Sequence, residues 1–319
     1  MKKTKKKVAW TNKTRWERFK LDMKRNWQLD LLVLATMIYM VMFEIIPLYG
    51  IQIAFRDYNP REGIIGSAWV GLKHFKQFFA NYQWKTYVLN TIRISLYNIV
   101  VGFPIPIILA LTLHVNENKF LKKMTQNVSY IPHFISTVVL VGIINQLFNP
   151  FSGLWAAIQQ LLNLNITADI RSNPDAFDHL FFWSGVWQNM GWSTIIFVAA
   201  LTAVPDELHE AARIDGASRW KRVLHIDIPT IAPTIATMFI LRFAGILGVA
   251  REKAYLMQNT LNLEKSEVIS TYVYKYGLGK NNYSYGAAVG LMNNAINFVL
   301  LLLVNWMSKK MSDDEVSLM

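Results

Sequence analysis

Six stretches of this chain are apolar, almost free of charge, and about as long as a helix must be to cross a bilayer. They fall at residues 29–55, 88–113, 128–148, 180–203, 231–249 and 285–307. A backbone in hydrocarbon has no water to bond with, so a run of about 20 apolar residues crosses as a helix that satisfies its own N–H and C=O groups. The pattern therefore predicts an all-α integral membrane protein with six transmembrane helices. Composition agrees, since 53% of the 319 residues are hydrophobic and only 17% charged, which is too little charge for a soluble domain of this size. The first run is too long for a removed signal peptide and lacks a small-residue cleavage site.

Net charge is +12, but the basic residues gather at the ends and in the connecting loops, so nucleic acid is not implied. With the N-terminus placed inside, inner segments hold 20 of the lysines and arginines and outer loops hold 11. By the positive-inside rule, both termini and the loop at 204–230 are expected on the cytoplasmic side. The chain has no cysteine, which excludes disulfides and thiolate metal sites.

The basic end, residues 1–28, opens with Lys2, Lys3, Lys5, Lys6 and Lys7. Trp16, Phe19, Met23 and Trp27 then recur at near-helical spacing among Arg15, Arg18, Lys20, Lys24 and Arg25. This reads as an amphipathic helix on an anionic membrane face. The loop at 149–179 is polar and rich in asparagine (Asn163, Asn165, Asn173), and residues 151–164 read as an interfacial amphipathic helix. A short cytoplasmic tail at 312–319 closes the chain. The only low-complexity segment is the lysine leader.

One polar stretch interrupts the apolar pattern. Between Pro205 and Pro229 lie Glu210-Ala211-Ala212, then Gly216, then Ile226-Asp227-Ile228-Pro229, with Arg213, Asp215, Arg219, Lys221 and Arg222 in between. Prolines fence it at both ends and a glycine sits at its middle, which predicts a helix–turn–helix. A loop that only capped the bundle would not need so dense a mix of charges. Small alanines allow a neighbour to approach closely, and a glutamate can accept a forked bond from an arginine.

The pattern EAA, three residues, Gly, nine residues, Ile-x-aliphatic-Pro resembles the EAA loop of permease subunits in type I binding-protein-dependent ATP-binding cassette importers. Asp206-Glu207, Arg213-Ile-Asp-Gly-Ala, Ser270-Thr-Tyr-Val-Tyr-Lys-Tyr-Gly-Leu and Tyr283-Ser-Tyr-Gly-Ala-Ala-Val-Gly-Leu291 are similar to its oligosaccharide and polysaccharide branch. The resemblance covers about residues 30–311 and implies the MetI-like permease fold over 29–311. It further implies that the loop at 205–229 docks in a groove of a separate cytoplasmic ATPase. Glu210 would be the pairing residue and Gly216 the turn, with Asp215 beside it. Ala211 and Ala212 would form the close-packing surface, and Ile226 and Pro229 would anchor the hairpin to span five. The implied partners are a second permease subunit (a heterodimer is usual in that branch), two ATPase subunits and an extracytoplasmic solute-binding protein, together with membrane lipid. A sugar, expected to be an oligosaccharide, would be the cargo, with an amino acid, peptide or metal chelate as the alternative. The expected location is a bacterial cytoplasmic membrane. ATP and Mg would act on the partner, because this chain has no Gly-x-x-x-x-Gly-Lys-Ser/Thr loop. Two departures from the family pattern are Ile228, where Leu is commoner, and Arg251-Glu252-Lys253-Ala254, in a stretch expected to carry less charge.

Candidate residues for a translocation path are those costly at membrane depth or suited to sugar hydroxyls. Glu44, Arg93 and Arg242 are ionisable groups within spans. Arg93, near an outer end, reads as snorkelling to the interface, which leaves Glu44 and Arg242. Asn145, Gln146, Gln188, Asn189, Asn293, Asn294 and Asn297 offer neutral hydrogen bonds, while Trp187 and Trp192 offer faces for stacking. Each could equally be interhelical glue. Gly286 and Gly290 are spaced for close helix packing. No catalytic constellation is present: His-Glu-x-x-His and Gly-x-Ser-x-Gly are both missing, and the six histidines are scattered, so no metal site is expected. A secondary transporter would show two repeated halves, and none is visible.

Overall fold

The computed structural model describes residues 14–162 and 169–311. The lysine leader, Asn163 and Asn165, and the tail at 312–319 lie outside the described residues. The chain divides into two compact units, Met1–Val70 and Gly71–Met319.

In the first unit, α1 (Arg15–Met40) leaves helical geometry at Asn26, where φ is −115° and ψ is 17°. The break separates the basic amphipathic stretch from the apolar span. Helix continues through a π turn at Val41–Ile45 and a 3-10 stretch at Tyr49–Phe55, so span one is carried by Met23–Phe55. Two short strands follow, β1 (Arg56–Asn59) and β2 (Ser67–Trp69), paired antiparallel with Arg56 opposite Trp69. The Arg56 guanidinium donates to the carbonyls of Ile65 and Ser67 and lies 5.5 Å over the Trp69 ring. This small sheet is an addition to the all-helical pattern.

The second unit is helical. After α2 (Lys73–Ala80), span two is formed by α3 (Trp84–Val100) and α4 (Pro104–Val115). Pro104 starts α4, where a missing N–H removes no intrahelical bond. Span three differs from the sequence expectation. Residues 128–148 are not one straight helix: α5 (Lys119–Tyr130) and its 3-10 extension to Phe134 meet α6 (Thr137–Leu147) at a bend of 102°. Pro132 and the N-cap Ser136, whose hydroxyl accepts the Val139 N–H, end one helix and begin the next. A short helix, α7 (Leu154–Leu161), occupies the expected interfacial segment.

Span four lies on α8 (Pro174–Leu201), which starts six residues before the apolar run because Asn173 caps it and Pro174 takes its first position. The polar hairpin is α9 (Asp206–Ile214) and α10 (Arg219–Arg222). A π turn at Val223–Asp227 leads into α11 (Ile228–Ala244), so helix runs unbroken over Arg219–Ala244 and span five stops at Ala244 rather than 249. Then come α12 (Arg251–Met257), α13 (Ile269–Val273) and α14 (Tyr283–Met311), the last carrying span six. Among the described residues, four helices are long and apolar enough to cross a membrane, and the bent pair makes a fifth. The 28-residue α8 has the length but carries Gln188 and Asn189 at its middle.

Two buried clusters place these helices. Ala110, Phe197, Leu201, Val204 and Ile231 lock α4, α8 and α11 together beside the hairpin. Phe78, Tyr87, Ile269, Tyr272, Tyr285 and Val289 join α2, α3, α13 and α14. Glycine matters where backbones meet. A Cβ on Gly191 would lie 2.2 Å from the Ser129 carbonyl oxygen, and one on Gly286 would lie 2.8 Å from the Gly277 Cα. Gly290 has open space instead, so only Gly286 of that pair serves close packing. We expect Gly191→Ala to force α8 from α5 at a cost of about 1–3 kcal/mol. The same change at Gly142, which has nothing within 4 Å, should be tolerated. Thermal unfolding of the two purified variants checks this, and equal unfolding temperatures would contradict the crossing.

Candidate functional site

The hairpin is built by local rules. Asp206 and Glu207 sit in the first turn of α9, where negative charge suits the helix N-terminus. At its other end Gly216 adopts φ +75°, the Ala217 N–H reaches the Ala212 carbonyl at 2.8 Å, and the Gly216 N–H reaches the Arg213 carbonyl at 3.1 Å. These two bonds form a Schellman stop. The Ser218 hydroxyl then accepts the Lys221 N–H to start α10. Pro229 has no N–H to offer, and Ile228 donates five residues back to the Val223 carbonyl, which opens the π turn without breaking the helix.

Glu210, Ala211, Asp215 and Gly216 are exposed, Ala212 is half-buried, and Ile226 packs on the α4–α8–α11 cluster. Two apolar side chains that the sequence reading passed over stand out beside them: Ile214 is 87% exposed and Trp220 77%. Glu117, in the link between α4 and α5, faces Arg219 at 3.2 Å and Arg213 at 3.6 Å. All three are exposed, so these contacts orient the hairpin more than they stabilise it.

Beneath the hairpin, Asp227 is 1% exposed and neither carboxylate oxygen has a hydrogen-bond partner among the described residues. His209 Nε2 of α9 lies 3.0 Å from Asp227 Oδ1, and His114 Nε2, at the end of α4, lies 3.7 Å away. The fold thus brings together three groups that look scattered in sequence, at the point where hairpin, span two and span five meet.

Between α3, α4, α8 and α11 lies a cavity of about 890 Å³. Of the candidate path residues, Gln188, Asn189 and Arg242 line it. Gln188 donates to the Ile135 carbonyl at 2.7 Å, satisfying the backbone freed by the 102° bend. Asn189 lies 3.1 Å from the His133 Nδ1. Asn293 and Asn294 line a second cavity of about 510 Å³, where the Asn293 Oδ1 is buried without a hydrogen-bond partner. The remaining candidates sit elsewhere. Asn297 accepts the Leu247 N–H beyond the end of α11, and Asn145 and Gln146 are exposed on α6. Trp187 is partly exposed outside both cavities, and Trp192 stacks on His133 at 4.5 Å. Glu44 belongs to the first unit and is exposed there. Arg93 does not snorkel freely: it forms a two-pronged pair with Asp178 and donates to the Lys265 carbonyl.

Lys253, from the segment that read as unexpectedly charged, lines both cavities. It is 5% exposed, its Nζ donates to the Phe181 carbonyl at 2.7 Å and lies 4.7 Å from the Phe181 ring centroid. Burial pushes this amine down to about 7. Gly185 makes room for it, since a Cβ there would lie 3.1 Å from Nζ.

The sequence matches the family described as binding-protein-dependent transport system inner membrane component over residues 102–313. It is 38% identical to the polygalacturonan/rhamnogalacturonan transport system permease protein YteP of Bacillus subtilis, over 90% of this chain and 89% of that protein. It is 30% identical to the arabinooligosaccharides transport system permease protein AraP of the same organism, over 77% and 76%. Among solved structures, a chain of a bacterial ABC transporter that imports the acidic polysaccharide alginate superimposes with a TM-score of 0.84 at 32% identity, covering 92% of this chain and 99% of that one.

The positive φ at Gly216 makes the hairpin turn testable. Gly216→Ala should cost about 1 kcal/mol locally, because a side chain resists the left-handed region. Hydrogen exchange should accelerate in residues 206–222 and stay unchanged in α8. Unaltered exchange in the hairpin would refute the assigned turn.

Proposed function

This chain belongs to the family of inner membrane components of binding-protein-dependent transport systems, and is therefore a multi-pass transport subunit and not an enzyme. We propose that it forms part of the translocation path for an oligosaccharide, and that it is driven by a separate ATPase docked on the α9–α10 hairpin. The observation that carries this reading is the hairpin itself, an exposed charged element whose second limb is continuous with a crossing helix over Arg219–Ala244. A solvated loop could flex without consequence. A limb in unbroken helix with span five passes a displacement at Glu210–Arg222 into the membrane.

The hairpin surface supports docking on a protein partner. Charged Glu210 and Asp215 border the exposed apolar Ile214 and Trp220, the combination of apolar anchor and polar rim typical of an interface. Glu210 would accept a bond from a basic residue of the ATPase, with ATP and Mg held there and not on this chain. The excess of Lys and Arg in alternate loops supports a cytoplasmic position for the hairpin and both termini, in a bacterial cytoplasmic membrane. A second permease subunit would complete the path, two ATPase subunits would power it, and an extracytoplasmic binding protein would deliver the cargo. The relatives named for polygalacturonan/rhamnogalacturonan, arabinooligosaccharides and alginate support sugar over other solutes. In mechanism, ATP binding draws the hairpins of the two permease subunits together, and the crossing helices rock about the cavity. Hydrolysis then resets them, each ligand shifting the balance by its differential affinity for the two states.

Replacing Glu210 with Lys should reduce uptake of labelled oligosaccharide to background and uncouple ATP hydrolysis from the binding protein, with normal abundance of the chain in the membrane. Normal uptake by that variant would refute the docking role.

A further inference from the structure

The proposed function leaves the charge of the sugar open, because the relatives are named for both acidic and neutral polymers. The larger cavity bears on it. Its lining includes two cationic side chains, Arg242 and Lys253, and no aspartate or glutamate. Neither cation has a carboxylate partner among the described residues. Lys253 has a single carbonyl and an aromatic face, and no hydrogen bond or ion pair engages Arg242.

Three other cations of the second unit do meet carboxylates: Arg93 with Asp178, Lys275 with Glu267 at 2.8 Å, Arg171 with Asp169 at 2.7 Å. Lys253 is buried, and a buried cation without a counter-charge is costly and gives up its proton or finds an anion, whereas Arg242 is exposed. Burial alone depresses the Lys253 amine, and a carboxylate placed beside it would restore its charge. Gly185 keeps the ammonium free of a covering side chain. The cavity volume of about 890 Å³ falls in the range that holds a small ligand, and Asn98, Ser136, Gln188 and Asn189 in its lining suit hydroxyl groups.

Resting on the importer reading above, we propose that this cavity is selective for oligosaccharides bearing carboxylates, of the uronic acid class. In this assignment Arg242 takes one carboxylate through its guanidinium fork, and Lys253 contributes the second positive charge. Sugar hydroxyls face the neutral amides. These two cations are then specificity-determining residues of the path, acting alongside whatever selection the binding protein imposes.

The test uses the full importer complex in lipid nanodiscs, without the binding protein, and measures the affinity of trigalacturonic acid and of its uncharged methyl ester. The wild type should prefer the acid by roughly tenfold or more, the scale of one charge-assisted contact. Arg242→Gln and Lys253→Met should each erase most of that preference by weakening the acid while binding the ester as before, and Arg242→Lys should restore part of it. If Lys253→Met fails to assemble, Arg242→Gln carries the test alone. Equal affinity of the wild type for acid and ester would overturn the proposal, and would mean that a carboxylate of the second permease subunit neutralises the pair. Variants that weaken acid and ester alike would overturn it too, assigning both residues a structural role. Binding of the ester and of neutral arabinotriose with no preference for the acid would leave the sugar importer standing and sink only this inference. Failure of all three saccharides to bind would remove both.

Discussion

The element on which the rest depends is one helix that changes function along its length without a break in its backbone. From Arg219 to Ala244 the chain goes from exposed hairpin to membrane-crossing span, past Pro229 and Pro233. A proline inside a helix ordinarily kinks it, by removing a hydrogen bond and crowding the preceding turn. Here the π turn at Val223–Asp227 absorbs the mismatch, with Ile228 bonding five residues back. The join is also gripped from the side: Ile226 and Ile231 pack against Ala110, Phe197 and Leu201. A hinge at this position would decouple the hairpin from the bundle, whereas a packed and hydrogen-bonded join does not.

The buried carboxylate of Asp227 belongs to the same argument. At 1% exposure it is too costly to leave alone, and the groups within reach are imidazoles from the hairpin and from span two. The three groups tie three elements at one point, so movement of α9 cannot occur without disturbing the environment of Asp227. Glu117 adds an outer tether that solvent screens, and the inner cluster lies where screening is weakest.

What was legible in the sequence follows from the range of the interactions involved. The hairpin could be read because its stop and start signals are local: Gly216 for the left-handed turn, Ser218 for the next cap, prolines at the fences. The six apolar runs each lie on helix for a similar reason, since a bilayer demands length and apolarity residue by residue. The 102° bend was not legible. Pro132 and Ser136 permit it, but it persists because Gln188, some fifty residues on, satisfies the Ile135 carbonyl. Arg93 was misjudged because its partner Asp178 is in another helix. The bond from the Leu247 N–H to Asn297, fifty residues apart, was likewise not legible in the sequence. Lys253 looked like a charge in an outer loop, and no sequence rule says that α12 turns it inward beneath Gly185.

Cations of this chain sit in two kinds of surroundings, and the proposed acidic cargo would use only one of them. Arg93 and Lys275 meet carboxylates in the layers around α3 and α13, while each stays partly open to solvent. Such pairs can hold neighbouring elements in register. Arg242 and Lys253, on the wall of an 890 Å³ cavity, have no carboxylate partner among the described residues, so a charge entering the cavity could neutralise them. Under the proposed assignment, the same electrostatic cost that drives pairing elsewhere would become affinity for an acidic cargo. It is expressed only while cargo is present, which is what a transport site needs: binding that exists in one step of the cycle and is withdrawn when the cavity empties.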